Sequence, residues 1–156
     1  IKGRVEKMNV SEVLKKERIA LDLEAKSKEE ALAALTELLY KSGVLADRDG
    51  FMKDVLGREE VSTTGIGNGI AIPHGKSANV SETSVAVAKL KNEVEWQSVD
   101  DKPVKFIVLL AVNENDRTGV HVKLLSQMAR KLASEETCKR LLEAKSGEEI
   151  VNIFSE

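Results

Sequence analysis

The sequence predicts one α/β domain in which helices enclose a central β-sheet. Val104–Val112 is an almost continuous apolar run, which is typical of a strand covered on both faces. Segments with apolar residues at helical spacing lie before and after this run. No internal repeat, low-complexity tract or long Pro/Gly/Ser linker divides the chain. We therefore expect residues 8–156 to form a single domain.

Two helices are predicted in the first half of the chain, after a short strand at 19–23. Ser27 and Glu30 form a capping box, and leucines then recur at helical spacing until Gly43 offers a C-terminal stop. The second helix is expected over residues 49–60. Its predicted inward-facing residues are Phe51, Val55 and Leu56.

The second half adds a strand at 83–90, a turn before the apolar run, and a loop at 113–119. A helix is expected next, with His121 in its first turn. Two short helices then complete the domain. One carries Cys138 on its apolar side, and the other opens with a second capping box at Ser146.

Composition excludes several functional classes. The chain carries 26 acidic and 24 basic residues without a basic cluster, so nucleic acid is an unfavourable partner. Its longest apolar run is too short to cross a bilayer. The single cysteine cannot form an internal disulfide, which fits a reducing, cytoplasmic compartment. With only two histidines, far apart in sequence, no metal or cofactor is expected.

The first seven residues are interpreted separately from the domain. The chain starts with Ile1, and a Met follows at position 8. Residues 1–7 are therefore expected to be an added or disordered leader, with Met8 as the native start.

The segment 58–76 is unlike the rest of the chain, because glycines alternate through it before Pro73 and His74. We expect a short apolar strand to end at His74 and to present the imidazole to solvent. Two nucleotide-binding patterns fail on spacing. Gly75-Lys76-Ser77 lacks the upstream glycine that a P-loop requires, and the alternating glycines miss the dinucleotide fingerprint.

His74 is the candidate nucleophile. An ordinary histidine has a pKa near ~6.5, so at neutral pH its imidazole offers a lone pair that can attack phosphorus. Phosphoryl transfer also requires positive charge and hydrogen-bond donors. Arg58 can supply the charge and His121, at a helix N-terminus, a donor. Alternatively, His121 packs against the helix and Arg58 binds the terminal carbonyls of its own helix.

The stretch Arg58–Lys76, together with His121-x-x-Leu124-Leu125, resembles the IIA component of the bacterial phosphoenolpyruvate-dependent sugar phosphotransferase system. The resemblance is to the fructose/mannitol class, EIIA type 2, and extends from Met8 over nearly the whole chain. It implies a mixed sheet sandwiched by α-helices. It also implies that His74 is phosphorylated at Nε2 with Arg58 and His121 in support. The phosphocarrier HPr would be the donor and a IIB domain the acceptor.

Two outputs are compatible with this resemblance. In the first, the chain passes phosphoryl groups toward uptake of a sugar, fructose-like by resemblance, and meets the membrane only through the permease complex. In the second, it is a nitrogen-regulatory protein whose phosphorylation state controls binding to targets. A third interpretation, a structural remnant, predicts that His74 is buried among apolar side chains.

Overall fold

A six-stranded mixed sheet runs through the centre of the computed structural model, which describes residues 10–116 and 119–156. The elements in chain order are α1 (Val10–Val13), β1 (Leu14–Leu23), α2 (Lys28–Lys41), α3 (Arg48–Val61), β2 (Gly65–Gly67), β3 (Ile70–Ala71), β4 (His74–Ser77), β5 (Ser84–Val94), β6 (Val104–Asn113), α4 (Val120–Leu132), α5 (Glu135–Glu143) and α6 (Gly147–Ser155). The strand order is β1-β5-β6-β3-β2, and β4 also pairs with β6. Strands β5 and β6 are antiparallel, whereas β1 pairs with β5, and β3 and β4 with β6, in parallel.

Strand β6 separates two hydrophobic clusters, one on each face of the sheet. Its side chains alternate between them, with Phe106 and Val108 on one side and Ile107 and Leu109 on the other. Helices α1, α4, α5 and α6 cover the first face, and α2 and α3 cover the second. Because both faces are covered, an almost continuous apolar strand is stable at the centre. The predicted sheet sandwiched by helices is confirmed.

The predicted helix starts are confirmed by their caps. The hydroxyl of Ser27 accepts a hydrogen bond from the Glu30 amide at 3.1 Å, and that of Ser146 accepts one from the Glu149 amide at 3.1 Å. Helix α3 extends one residue beyond the predicted range at each end. Of its predicted inward residues, Phe51 and Val55 are fully buried and Leu56 is partly buried against the same cluster.

Strand β1 is longer than its sequence predicts, and α1 was not predicted. Residues 15–17 are exposed and charged, so the alternation that marks a strand is lost there. These residues lie in an edge strand whose pairing with β5 shifts register between Leu14 and Ile19. Charges and irregularities are common in edge strands, where they discourage pairing between molecules. The predicted leader at residues 1–7 lies outside the described residues.

Cys138 is a buried packing residue, as predicted. It is 2% exposed and its thiol donates a hydrogen bond to the Leu132 carbonyl at 3.2 Å. Burial raises the pKa of this thiol, which keeps it in the unreactive protonated form.

No helix in the described part of the chain is long and apolar enough to span a bilayer.

Candidate functional site

His74 does not lie at the end of a strand, as the sequence led us to expect, but at the beginning of one. The short strand β3 ends at Ala71, and His74 is the first residue of β4, opposite Leu110 of β6. Pro73 lies in the gap between the two strands, since proline has no N–H to donate within a sheet. Its carbonyl nevertheless accepts a hydrogen bond from the Leu110 amide at 3.0 Å. The residue before His74 is therefore fixed to the central strand.

Gly75 allows β4 to approach helix α3 closely. A Cβ atom at this position would lie 2.8 Å from Cγ2 of Val55 and 3.1 Å from Cε1 of Phe51, both fully buried. Real Cβ atoms essentially never come within 3.0 Å of such a neighbour, as the contact with Val55 would require. Glycine therefore brings the preceding residue, His74, beside the last turn of α3, where Arg58 lies.

Substituting Gly75 by alanine is expected to destabilise the protein by about 1–3 kcal/mol, because overpacking a filled core costs this much. The added methyl group also pushes His74 away from Arg58. Gly57→Ala is the matched control, since a Cβ there meets nothing within 4 Å and alanine favours a helix. Urea unfolding should show a loss of stability for Gly75→Ala and none for Gly57→Ala; equal stabilities would refute the close approach.

The imidazole of His74 forms two hydrogen bonds that together define its tautomer. Nδ1 lies 3.3 Å from the carbonyl oxygen of Ile72, and Nε2 lies 3.1 Å from Nε of Arg58. A carbonyl can only accept and a guanidinium N–H can only donate. The proton is therefore on Nδ1, and Nε2 carries the lone pair. The ring is half-buried and is held by polar partners, contrary to what a structural remnant predicts.

The surroundings of His74 favour its neutral form. Its pKa lies below the ordinary value, chiefly because burial penalises the charged ring. The hydrogen bond to Ile72 acts in the opposite direction, while the charge of Arg58 lowers the pKa further. Glu59 raises it and His121 lowers it. At neutral pH the ring is consequently uncharged, and Nε2 keeps its lone pair.

An NMR titration of His74 should have its midpoint below about 6.5, the ordinary histidine value. The rate of any reaction at Nε2 should rise with pH through that midpoint and become level near neutrality, because the neutral ring is the nucleophile. The chain has two histidines, so one His121→Asn variant assigns both resonances. A midpoint above the ordinary value would contradict the effect of burial.

The contacts of Arg58 are compatible with both roles that were considered for it. Its Nη1 donates to the carbonyl oxygen of Ser62 at 3.1 Å and to the Ser62 hydroxyl at 3.3 Å, just beyond the end of α3. Its Nε contacts His74. The side chain thus binds a helix-terminal carbonyl and places a fixed positive charge beside the imidazole.

His121 lies in the first turn of α4, as predicted, and Asp116 orients it. One carboxylate oxygen, Oδ2 of Asp116, lies 3.4 Å from the His121 amide nitrogen and 3.4 Å from its ring Nδ1. The His121 side chain is 26% exposed and that of Asp116 is 10% exposed. The charge of His121 makes a small contribution to the lowered pKa of His74. Asp116 was not predicted, although an Asp shortly before a helix is a typical capping signal.

Glu59 is a second residue that sequence reasoning missed. Its side chain is only 4% exposed and forms an ion pair with Lys28 of α2, with Nζ 2.7 Å from Oε2. Its other oxygen accepts a hydrogen bond from the Thr64 hydroxyl. Glu59 thereby ties the last turn of α3 to α2 and to the segment that enters β2. It fixes the turn that carries Arg58, and no sequence signal distinguishes this glutamate from its exposed neighbour Glu60.

The site therefore places a neutral imidazole, with its lone pair on a known atom, beside a guanidinium and within reach of the charge of a second imidazole. This set suits transfer of an anionic group through a nitrogen nucleophile. The described residues contain no group of three or more His, Cys, Asp or Glu side chains that could hold a metal ion.

Comparison with known proteins agrees with this chemistry. Residues 12–156 match the model of a family described as phosphoenolpyruvate-dependent sugar phosphotransferase system, EIIA 2. The chain is 37% identical to the PTS system fructose-specific EIIABC component of Bacillus subtilis over 149 residues, 96% of this chain but 23% of that protein. It is 36% identical to the nitrogen regulatory protein of Klebsiella oxytoca, over 96% of this chain and 91% of that protein. The crystal structure of nitrogen regulatory protein IIA-Ntr from Neisseria meningitidis superposes with a TM-score of 0.85 at 32% identity, covering 93% of this chain and 98% of that one.

Proposed function

Because the chain belongs to the EIIA 2 family of the phosphoenolpyruvate-dependent sugar phosphotransferase system, we propose that it is a cytoplasmic phosphoryl carrier. In this proposal Nε2 of His74 accepts a phosphoryl group from phosphorylated HPr. The group then passes to a IIB domain, and from there toward a sugar.

The hydrogen bonding of His74 is the observation that carries this proposal. Nδ1–H donates a hydrogen bond to the carbonyl of Ile72, so the lone pair lies on Nε2, the atom beside Arg58. The proposed nucleophilic atom, Nε2, and the positively charged guanidinium of Arg58 are thus in direct contact. A histidine with only a packing role does not require a guanidinium at its unprotonated nitrogen.

The reaction follows from this geometry. The lone pair on Nε2 attacks the phosphorus of the donor's phosphohistidine, a new N–P bond forms, and the donor's N–P bond breaks. The electron pair of the broken bond returns to the donor's nitrogen. The proton stays on Nδ1, hydrogen-bonded to the Ile72 carbonyl, so the product ring carries a positive charge shared by its two nitrogens. Arg58 stabilises the charge on the phosphoryl oxygens during transfer. His121, whose Nδ1 faces the Asp116 carboxylate, donates to these oxygens through Nε2 when its ring carries both protons. Asp116 orients His121 for this role.

The relatives support two different outputs. The B. subtilis protein carries A, B and C components under one name and is fructose-specific, which favours a IIB acceptor and a fructose-like sugar for this chain. The nitrogen regulatory proteins favour the alternative, in which phosphorylation of His74 controls binding to target proteins. Both outputs depend on the same phosphorylated residue.

The experiment that tests the proposal supplies phosphoenolpyruvate, enzyme I and HPr, and follows the intact mass of the chain. We expect a gain of one phosphoryl group, and its loss when a fructose-specific IIB domain is added. A chain that gains no phosphoryl group would refute the carrier function. Uptake without discharge to IIB would favour the regulatory alternative instead.

A further inference from the structure

Arg58 donates a hydrogen bond to the lone pair that the proposed reaction needs. Its Nε lies 3.1 Å from Nε2 of His74, and Nδ1–H of the same ring donates to the carbonyl of Ile72. A neutral imidazole has one lone pair in the ring plane, and a lone pair that accepts a hydrogen bond cannot attack an electrophile at the same time. In the unphosphorylated protein this hydrogen bond from Arg58, which we call the cap, therefore blocks Nε2.

We infer that Arg58 is a specificity residue that keeps Nε2 of His74 unreactive toward small electrophiles, until a docked phosphoprotein draws the guanidinium away from the ring. This inference rests on the proposed function, because it concerns the same nitrogen. It gives Arg58 a second role. Before docking Arg58 lowers the reactivity of Nε2, whereas during transfer it stabilises the phosphoryl group.

The cap is held from two sides. Nη1 of Arg58 bonds the carbonyl and the hydroxyl of Ser62, and the buried Glu59 fixes the turn from which the side chain extends. These contacts place the guanidinium at Nε2 from the solvent-exposed end of α3. When the guanidinium leaves the ring, it loses its hydrogen bond to Nε2 unless another acceptor replaces it.

A docking protein supplies that replacement and a small electrophile does not. The phosphoryl oxygens of a phosphohistidine offer Arg58 stronger acceptors than an imidazole nitrogen. Contacts between the two protein surfaces, remote from the reacting atoms, offset the work of moving the side chain. A small neutral reagent has neither charged phosphoryl oxygens nor a protein surface that can dock. Because hydrogen bonds to charged groups are strong, the cap should slow such reagents by about tenfold or more.

Diethyl pyrocarbonate tests this inference without any partner protein. In the reaction, a ring nitrogen attacks one carbonyl carbon of the reagent, a carbethoxy–nitrogen bond forms, and the C–O bond to the leaving ethyl carbonate anion breaks. The proton on the other ring nitrogen is released to water. Absorbance reports modified histidine, and peptide mass separates His74 from His121, the only other histidine in the sequence. Rates are compared on the high-pH plateau, because loss of Arg58 also changes the protonation of His74.

For Arg58→Met we expect the plateau rate at His74 to rise about tenfold or more. Arg48→Met is the matched control, because Arg48 begins the same helix and pairs with Glu37 at 2.6 Å, away from His74. Its rate at His74 should equal that of the wild type. An unchanged rate in Arg58→Met would overturn the inference.

A second measurement separates a hydrogen-bonded cap from simple steric cover, and it needs no variant to fold. In the wild type above its titration midpoint, the ¹⁵N resonance of Nε2 should show an unprotonated nitrogen that accepts a hydrogen bond. A resonance typical of an unbonded nitrogen would overturn the cap. The two proposals can fail separately. If phosphorylated HPr does not phosphorylate the wild type, but the diethyl pyrocarbonate rates and the ¹⁵N resonance are as expected, the proposed function is wrong and the hydrogen-bonded cap is supported.

Discussion

Replacing His74 by asparagine is expected to abolish phosphoryl uptake from phosphorylated HPr. Asparagine has no nitrogen lone pair that can attack phosphorus, so no slower route remains through this residue. Its amide can still donate to the Ile72 carbonyl in place of Nδ1. We therefore expect the free energy of unfolding to change by no more than about 1 kcal/mol.

His121→Asn is the matched control for this prediction, since it removes the other imidazole of the site. Intact mass after incubation with phosphoenolpyruvate, enzyme I and HPr should show no phosphoryl group on His74→Asn. The His121→Asn protein should gain one, more slowly than the wild type. If the two variants exchanged these results, His121 would be the nucleophile and the assignment of roles would be wrong.

Replacing Arg58 by methionine is expected to slow phosphoryl transfer from HPr by about 10²- to 10³-fold, the usual effect of removing a preorganised donor from a transition state. Methionine keeps much of the apolar stem but has no N–H group. The loss of stability should be about 1 kcal/mol, since the lost hydrogen bonds to the carbonyl and hydroxyl of Ser62 and to His74 lie at a partly exposed position where water can replace them. Single-turnover transfer and urea unfolding measure the two effects.

Arg48→Met again serves as the control, with transfer expected to match the wild type. Comparable losses of transfer and stability in Arg58→Met would assign Arg58 a structural role. Arg58→Met is also expected to react faster with diethyl pyrocarbonate. A slower reaction with the phosphoprotein and a faster one with the small reagent, in a single variant, would identify both roles of this side chain.

Much of the fold could be predicted because its signals are local. The apolar run that forms β6 marks a strand covered on both faces, and Ser27 and Ser146 mark helix starts by side-chain hydrogen bonds that are visible in the sequence as spacing. Strand β1 was predicted too short because its charged residues belong to an edge strand with an irregular register. Whether a strand lies at the edge depends on the whole sheet, so the ten residues of β1 alone do not reveal it.

The site was predicted in part for the same reason. His74 and Arg58 were found because a glycine-rich segment, a Pro-His pair and a nearby arginine are unusual in sequence, and the structure places the two in direct contact. The start of β4 at His74 depends on pairing with β6, which is distant in sequence. Glu59 and Asp116 were missed because their roles come from burial and from single contacts. An aspartate or glutamate in a charged stretch resembles any solvated residue until its partners are known.

Identifying the atom that carries the phosphoryl group is the most direct test of the proposed role of His74. We would load the ¹⁵N-labelled wild type with phosphoenolpyruvate, enzyme I and HPr, and record ¹⁵N and ³¹P NMR spectra. We expect one phosphoryl group bonded to Nε2 of His74, with the Nδ1 proton retained. A phosphoryl group on Nδ1, on His121, or on neither histidine would contradict it.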